Sequence, residues 1–171
     1  MRRKMIAIAL VLLGAMLLSA MGGYFWLQNR MQNPSVPPVP SQIAGLQRTV
    51  LDTGAQAALE IGQLHGKGFP LTVAAVAIYQ GEGNAQLWVA GAPWKWFSSR
   101  LFASMQERIA SSTGLPFHPQ GERLVNGRRV QALEGLGQQH FYFQSGNLVI
   151  WLAVDPPLAE RVLDEILQFY P

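Results

Sequence analysis

The chain has 171 residues, 49% hydrophobic and 13% charged, with no cysteine, a formal charge of +3 and a pI near 9.6. That length suits one domain plus accessory segments, and the lack of cysteine excludes disulfides, thiolate metal centres, covalent c-type haem attachment and a cysteine nucleophile. The positive charge is not a nucleic-acid signature. Four of the 13 bases (Arg2, Arg3, Lys4 and Arg30) flank the first hydrophobic run, leaving nine against ten acids over the rest of the chain. No basic face of the kind a phosphate backbone needs remains, so no nucleic-acid partner is expected.

Met5 to Asn29, MIAIALVLLGAMLLSAMGGYFWLQN, carries no charge. Its apolar part, Met5 to Leu27, exceeds the core of a signal peptide and matches the roughly 20 residues of a spanning helix. Tyr24, Phe25 and Trp26 stand at its far end, where aromatic rings favour the membrane–water boundary. Arg2, Arg3 and Lys4 should remain cytoplasmic, which places the rest of the chain outside. The expectation is a retained single-pass anchor over residues 1–29, with membrane lipid as its partner. The alternative is a cleaved signal, for which Ser19-Ala20-Met21-Gly22-Gly23 offers small residues.

Residues 30–42 follow as a linker containing Pro34, Pro37, Pro38 and Pro40. Proline locks φ and removes a backbone donor, so an extended, semi-rigid spacer is expected at about 3 Å per residue.

Residues 43–171 read as one extracytoplasmic domain, long enough to bury its own core. Thr53 to His65 reads as a helix with Thr53 as N-cap and Gly66 just past its end. Leu71 to Tyr79 and Ala85 to Ala90 read as strands of one hairpin. Trp94 to Ser112 returns to helical spacing, with Trp94, Phe97, Leu101, Met105 and Ile109 on one stripe ended by Gly114 and Pro116. Asn126-Gly127 between short apolar runs is a strong hairpin signal. Gly137 to Val154 supplies another hairpin, and Asp155-Pro156-Pro157 reads as the capped start of a closing helix, with Asp155 at N-cap. The expected class is α+β: a mainly antiparallel sheet in the order α-β-β-α-β-β-β-β-α, covered by helices on one face.

Signatures of chemistry are missing. No G-x-S-x-G elbow, H-E-x-x-H pair, phosphate-binding glycine loop or carboxylate pair at a useful spacing occurs. The three histidines, His65, His118 and His140, have no ligand spacing. His65 suits a helix C-terminus, where a partly charged imidazole favours the dipole. His118, beside Pro119, reads as a solvated loop residue. No catalytic, cofactor or metal residues are assigned.

Two aromatic surfaces stand out. If Trp94 and Phe97 face the core, Trp96 points roughly the opposite way on an ideal helix, beside Lys95. An exposed tryptophan there suits a partner surface or lipid headgroups. The alternative is a helix that starts later, with Trp96 folded under a loop. In the last hairpin a two-residue turn puts Phe141, Phe143, Leu148, Ile150, Leu152 and Val154 on one side, under the helices. His140, Tyr142, Gln144, Val149, Trp151 and Ala153 take the other. That mixed face is covered by the linker or the segment 42–51, or docks a protein, or lines a small-molecule groove. The candidate partner surface is thus Trp94, Trp96, His140, Tyr142 and Trp151. The leading functional expectation is a non-enzymatic, membrane-anchored periplasmic or extracellular module, an accessory or assembly subunit of an envelope complex with a protein partner. The alternative is a small-molecule binder or weak hydrolase using His140, Tyr142 and Trp151.

Overall fold

The computed structural model describes residues 2–65, 71–111, 114 and 116–171, with backbone alone at 2, 3, 64 and 65. Gly66 and Ser112, named above at helix ends, lie outside the described residues.

Helix α1, Arg2–Gln32, is continuous through the uncharged run. It is long and apolar enough to cross a membrane, with a mean hydropathy of 2.4 and none of its apolar window buried against protein. The domain then forms β1 (Gln42–Ile43), β2 (Leu46–Thr53), α2 (Gly54–His65), β3 (Val73–Gln80), β4 (Asn84–Gly91), α3 (Lys95–Ser111), β5 (Phe117–Val125), β6 (Arg128–Gly135), β7 (Gln138–Ser145), β8 (Leu148–Val154) and α4 (Ala159–Phe169). The eight strands make one sheet in the order β1-β2-β3-β4-β8-β7-β6-β5, every adjacent pair antiparallel. The α+β class and the expected element order hold. The β1–β2 hairpin is added ahead of α2; residues 42–51, one of the candidate covers for the mixed face, extend the sheet edge instead.

The tight turns follow from backbone chemistry. Asn126 and Gly127 adopt φ of 50° and 78°, the left-handed pair that matches strand twist. Gly146, at φ 58°, opens the two-residue turn between β7 and β8 and sets Phe143 opposite Ile150.

The helices divide between both faces rather than sharing one. Val162, Leu163 and Ile166 of α4 pack on Tyr79, Leu87, Phe141, Phe143, Ile150 and Leu152. On the reverse face Ala57 and Ile61 of α2 meet Ala74, Val76 and Ala90, and Met105 of α3 meets Leu133, Tyr142 and Val149. The cause lies in the strands. VAAVAIY in β3 and LVIWLAV in β8 are apolar at nearly every position, so both surfaces need cover, as in a buried parallel sheet.

The proline segment is not a free spacer. Pro34 and Pro37 are buried. Ser35 bridges Val73, its amide donating to the Thr72 carbonyl at 2.8 Å and its carbonyl accepting from Ala74 N at 3.2 Å. A proline-rich strand lacks donors but keeps carbonyls, and the domain supplies the donors. The Tyr170 hydroxyl reaches Pro38 O at 2.8 Å, the Tyr79 hydroxyl Pro40 O at 2.8 Å, and an Arg48 guanidinium nitrogen Val39 O at 2.8 Å. Burial pushes the Tyr79 hydroxyl up to about 12, against the opposing pull of Arg48, and raises Tyr170 as well. Both phenols therefore stay protonated donors.

Asp155 also departs from its expected role. A 3-10 turn, Pro156–Leu158, precedes α4, and the Asp155 side chain caps neither element. It turns to the strand ends instead. Gln138 Nε2 donates to one carboxylate oxygen at 2.9 Å; the Asn84 amide and Nδ2 donate to the other at 2.7 and 3.2 Å. The Gln138 and Asn84 bonds hold the carboxyl below its ordinary value.

Candidate functional site

The five candidate surface residues fall into two groups in different environments. His140 and Tyr142 lie on β7 and Trp151 on β8, facing α3. Tyr142 and Trp151 are direct cross-strand partners, their rings stacked at 5.2 Å and 9°. Phe102 of α3 covers Tyr142 at 5.4 Å between centroids, and Phe117 at the start of β5 covers His140 at 4.9 Å and Trp151 at 5.6 Å edge-on. His140 and Tyr142 are 4% and 2% exposed. These two residues, expected on a partner surface or a ligand groove, are core residues beneath α3. Neither the linker nor residues 42–51 provides the cover.

The hydrogen bonds determine the state of His140. Trp151 Nε1 lies 3.1 Å from His140 Nδ1, and an indole nitrogen only donates, so Nδ1 accepts. Nε2 therefore carries the proton and donates to the Gly135 carbonyl at 3.0 Å. Protonation of Nδ1 would set two donors against each other. Burial lowers the imidazole pKa, working against the Gly135 hydrogen bond. A neutral imidazole with both nitrogens committed is a structural pin, with no free nitrogen for proton transfer or ligation. Burial likewise pushes the Tyr142 hydroxyl up to about 12.

Gly135 makes this packing possible. A Cβ at that position would overlap the Pro116 carbonyl and come within 2.7 Å of the Phe117 ring. Trp88, opposite Trp151 on β4, extends the aromatic row towards α2; its Nε1 is buried with no partner among the described residues.

Trp94 and Trp96 are in the open, at 48% and 60% exposure. Helix α3 begins at Lys95, so Trp94 precedes it and Trp96 lies in its first turn. Of the expected core stripe, Met105 is buried, Phe97, Leu101 and Ile109 are half-buried, and Trp94 is exposed. Trp94 stacks on Phe97 at 5.7 Å, Phe97 on Trp96 at 3.8 Å, and Trp94 meets Trp26 of α1 at 6.4 Å. Tyr24, Phe25 and Trp26 are all exposed, Tyr24 and Phe25 meeting edge-on at 5.8 Å. Lys4 is exposed; the side chains of Arg2 and Arg3 lie outside the described residues. The structure thus separates His140, Tyr142 and Trp151 from Trp94 and Trp96, and brings the latter group to Trp26.

A polar clasp fixes the start of α3. Ser98, fully buried, donates through Oγ to Asn147 O at 2.6 Å. Asn147 Nδ2 returns to Ala92 O at 3.1 Å, and Ser99 and Gln144 bond side chain to side chain at 3.1 Å. Sequence reasoning did not single out Phe102, Phe117, Gly135 or Ser98. The β5 segment, FHPQGERLV, has no apolar alternation to mark it as a strand, so Phe117 carried no signal. His118 follows it as an exposed strand residue rather than a loop residue.

Among the described residues no group of three His, Asp or Glu gathers where a metal ion would sit. No protein-family model, curated protein or solved structure matches this chain.

Proposed function

We propose that this chain is a single-pass, membrane-anchored module whose domain lies outside the cytoplasm and serves as an accessory or assembly subunit of an envelope complex. The carrying observation is α1. Its span Lys4–Gln32, 29 residues at mean hydropathy 2.4 with nothing of the apolar window covered by protein, suits a lipid environment. The basic residues at 2–4 support an N-terminus on the cytoplasmic side. A non-enzymatic role is supported by His140, whose two nitrogens are both used in holding the core together. Protein contact is supported by β5, a nine-residue edge strand that, among the described residues, pairs with β6 alone. Pro119 and the irregularity between Pro119 and Gly121 blunt part of that edge. Beyond them Leu124 is 75% exposed.

Reporter fusions at the two ends test the orientation, with a periplasm-active reporter expected to work only at the C-terminus. Extraction of native membranes into mild detergent should retain a neighbour in fixed stoichiometry, crosslinked through photoreactive residues at Leu124. A monodisperse monomer with no crosslinked neighbour would count decisively against the subunit role.

A further inference from the structure

We infer that the start of α3, Trp94-Lys95-Trp96, is a second membrane contact that seats the domain against the headgroup layer of the bilayer α1 enters. This rests on the anchored reading above. Position argues for it. Trp26 closes the apolar run of α1, the level at which aromatic rings settle between hydrocarbon and water. Trp94 lies 6.4 Å from Trp26, so whatever depth Trp26 takes, Trp94 takes nearly the same. From there the row continues through Phe97 to Trp96, the most exposed of the three tryptophans.

Charge points the same way. The Arg30 guanidinium sits over the Trp26 ring at 5.7 Å. From Gly91 to Gln106 the chain carries Lys95 and Arg100 and no acid. Indole rings set among cations suit a layer of phosphates over an apolar slab. Rigidity matters too. The buried Ser98 and its bond to Asn147 tie the first turn of α3 to the β7–β8 turn, so the patch is presented without an ordering cost. A partner protein at this place would have to share the headgroup layer, whereas lipid is there as soon as α1 is inserted.

The absence of native cysteine allows single-site spin labelling of the full chain in lipid nanodiscs. Labels at Lys95→Cys, Phe25→Cys and Leu124→Cys are compared for relaxation by oxygen, which partitions into lipid, and by a water-soluble nickel chelate. The Lys95 label is expected within a few ångströms of the Phe25 depth, with the Leu124 label in water. In a Trp94→Ala/Trp96→Ala background the Lys95 label should move to water, with a several-fold fall in its oxygen-to-nickel ratio. Because both tryptophans are exposed, the melting temperature should stay put. A Lys95 label in water beside a Phe25 label in lipid overturns the second contact and leaves the anchor standing. A label in water at Leu17→Cys, in the middle of the apolar run, overturns the anchor itself. A Lys95 label in water in nanodiscs but shielded in native membranes assigns the patch to a protein and overturns the lipid contact.

Discussion

Replacing His140 by alanine tests the core beneath α3 directly. The substitution strips the hydrogen-bond partner from the Gly135 carbonyl and from Trp151 Nε1, bonded at 3.0 and 3.1 Å. A buried polar group left without a partner costs about 1–3 kcal/mol. The Trp151 end belongs at the low side of that range, because Trp151 is only partly buried and water can replace the imidazole. Loss of the Phe117 contact adds a cavity term. The total is about 3–4 kcal/mol, which for a domain of this size lowers the melting temperature by roughly 10–15 °C. His140→Phe restores volume but not the acceptor and donor, so it should recover only part. Urea unfolding of the full chain in mild detergent, followed by tryptophan fluorescence, gives the midpoint and the slope, and the slope should not change. A pH arm sharpens the test. The folded imidazole has a pKa below the ordinary 6.5, so the unfolded chain takes up the proton first. Its contribution is therefore complete above that ordinary value and is lost as pH falls through the folded pKa. His140→Ala should flatten that acid limb. If both variants lose less than about 1 kcal/mol and the acid limb persists, the pinned imidazole is wrong.

Three further outcomes follow from other contacts. Gly135→Ala drives a methyl against the Pro116 carbonyl and should destabilise by about 2 kcal/mol, read as a lower melting temperature with quenching changes at Trp151. Asp155→Ala should cost about 1–2 kcal/mol for a half-exposed carboxylate that accepts from Gln138 and Asn84. Its folded pKa is depressed, so the wild-type advantage should be present above the unfolded carboxylate value and vanish as pH falls through the folded one. Tyr79→Phe combined with Tyr170→Phe removes two bonds to proline carbonyls, at Pro40 and Pro38. Hydrogen exchange at Ser35 and Ala74, whose amides hold the linker bridge, should quicken by an order of magnitude or more; unchanged exchange would mean that Arg48 and the bridge suffice.

Local chemistry made much of the fold legible. The closing helix after Asp155-Pro156-Pro157, the two-residue turn at Asn126-Gly127 and the β7–β8 register all depend on neighbours a few residues apart, and all appear where expected. The β2 strand was hidden because LQRTVLDT carries a bulge between Arg48 and Val50 that breaks its period of two. The start of β5 was hidden because nothing in FHPQGERLV alternates. Asp155 before two prolines has the composition of an N-cap, yet its carboxylate bonds to Asn84 and Gln138 on other strands, contacts that a short sequence window does not contain.

By itself, then, the sequence determined the apolar helix, the element order and the turns, because each follows from periodicity, backbone freedom or composition within a short window. Only the tertiary structure decided which surfaces remain in contact with solvent. Strands apolar on both faces require two layers of helix, and it is α3, together with Phe117 of β5, crossing the second face that turns His140 and Tyr142 from a suspected surface into core, with Trp151 half-buried beside them. The same crossing leaves Trp94 and Trp96 outside and sets Trp94 beside Trp26, a pairing 68 positions apart in the chain that no local pattern encodes.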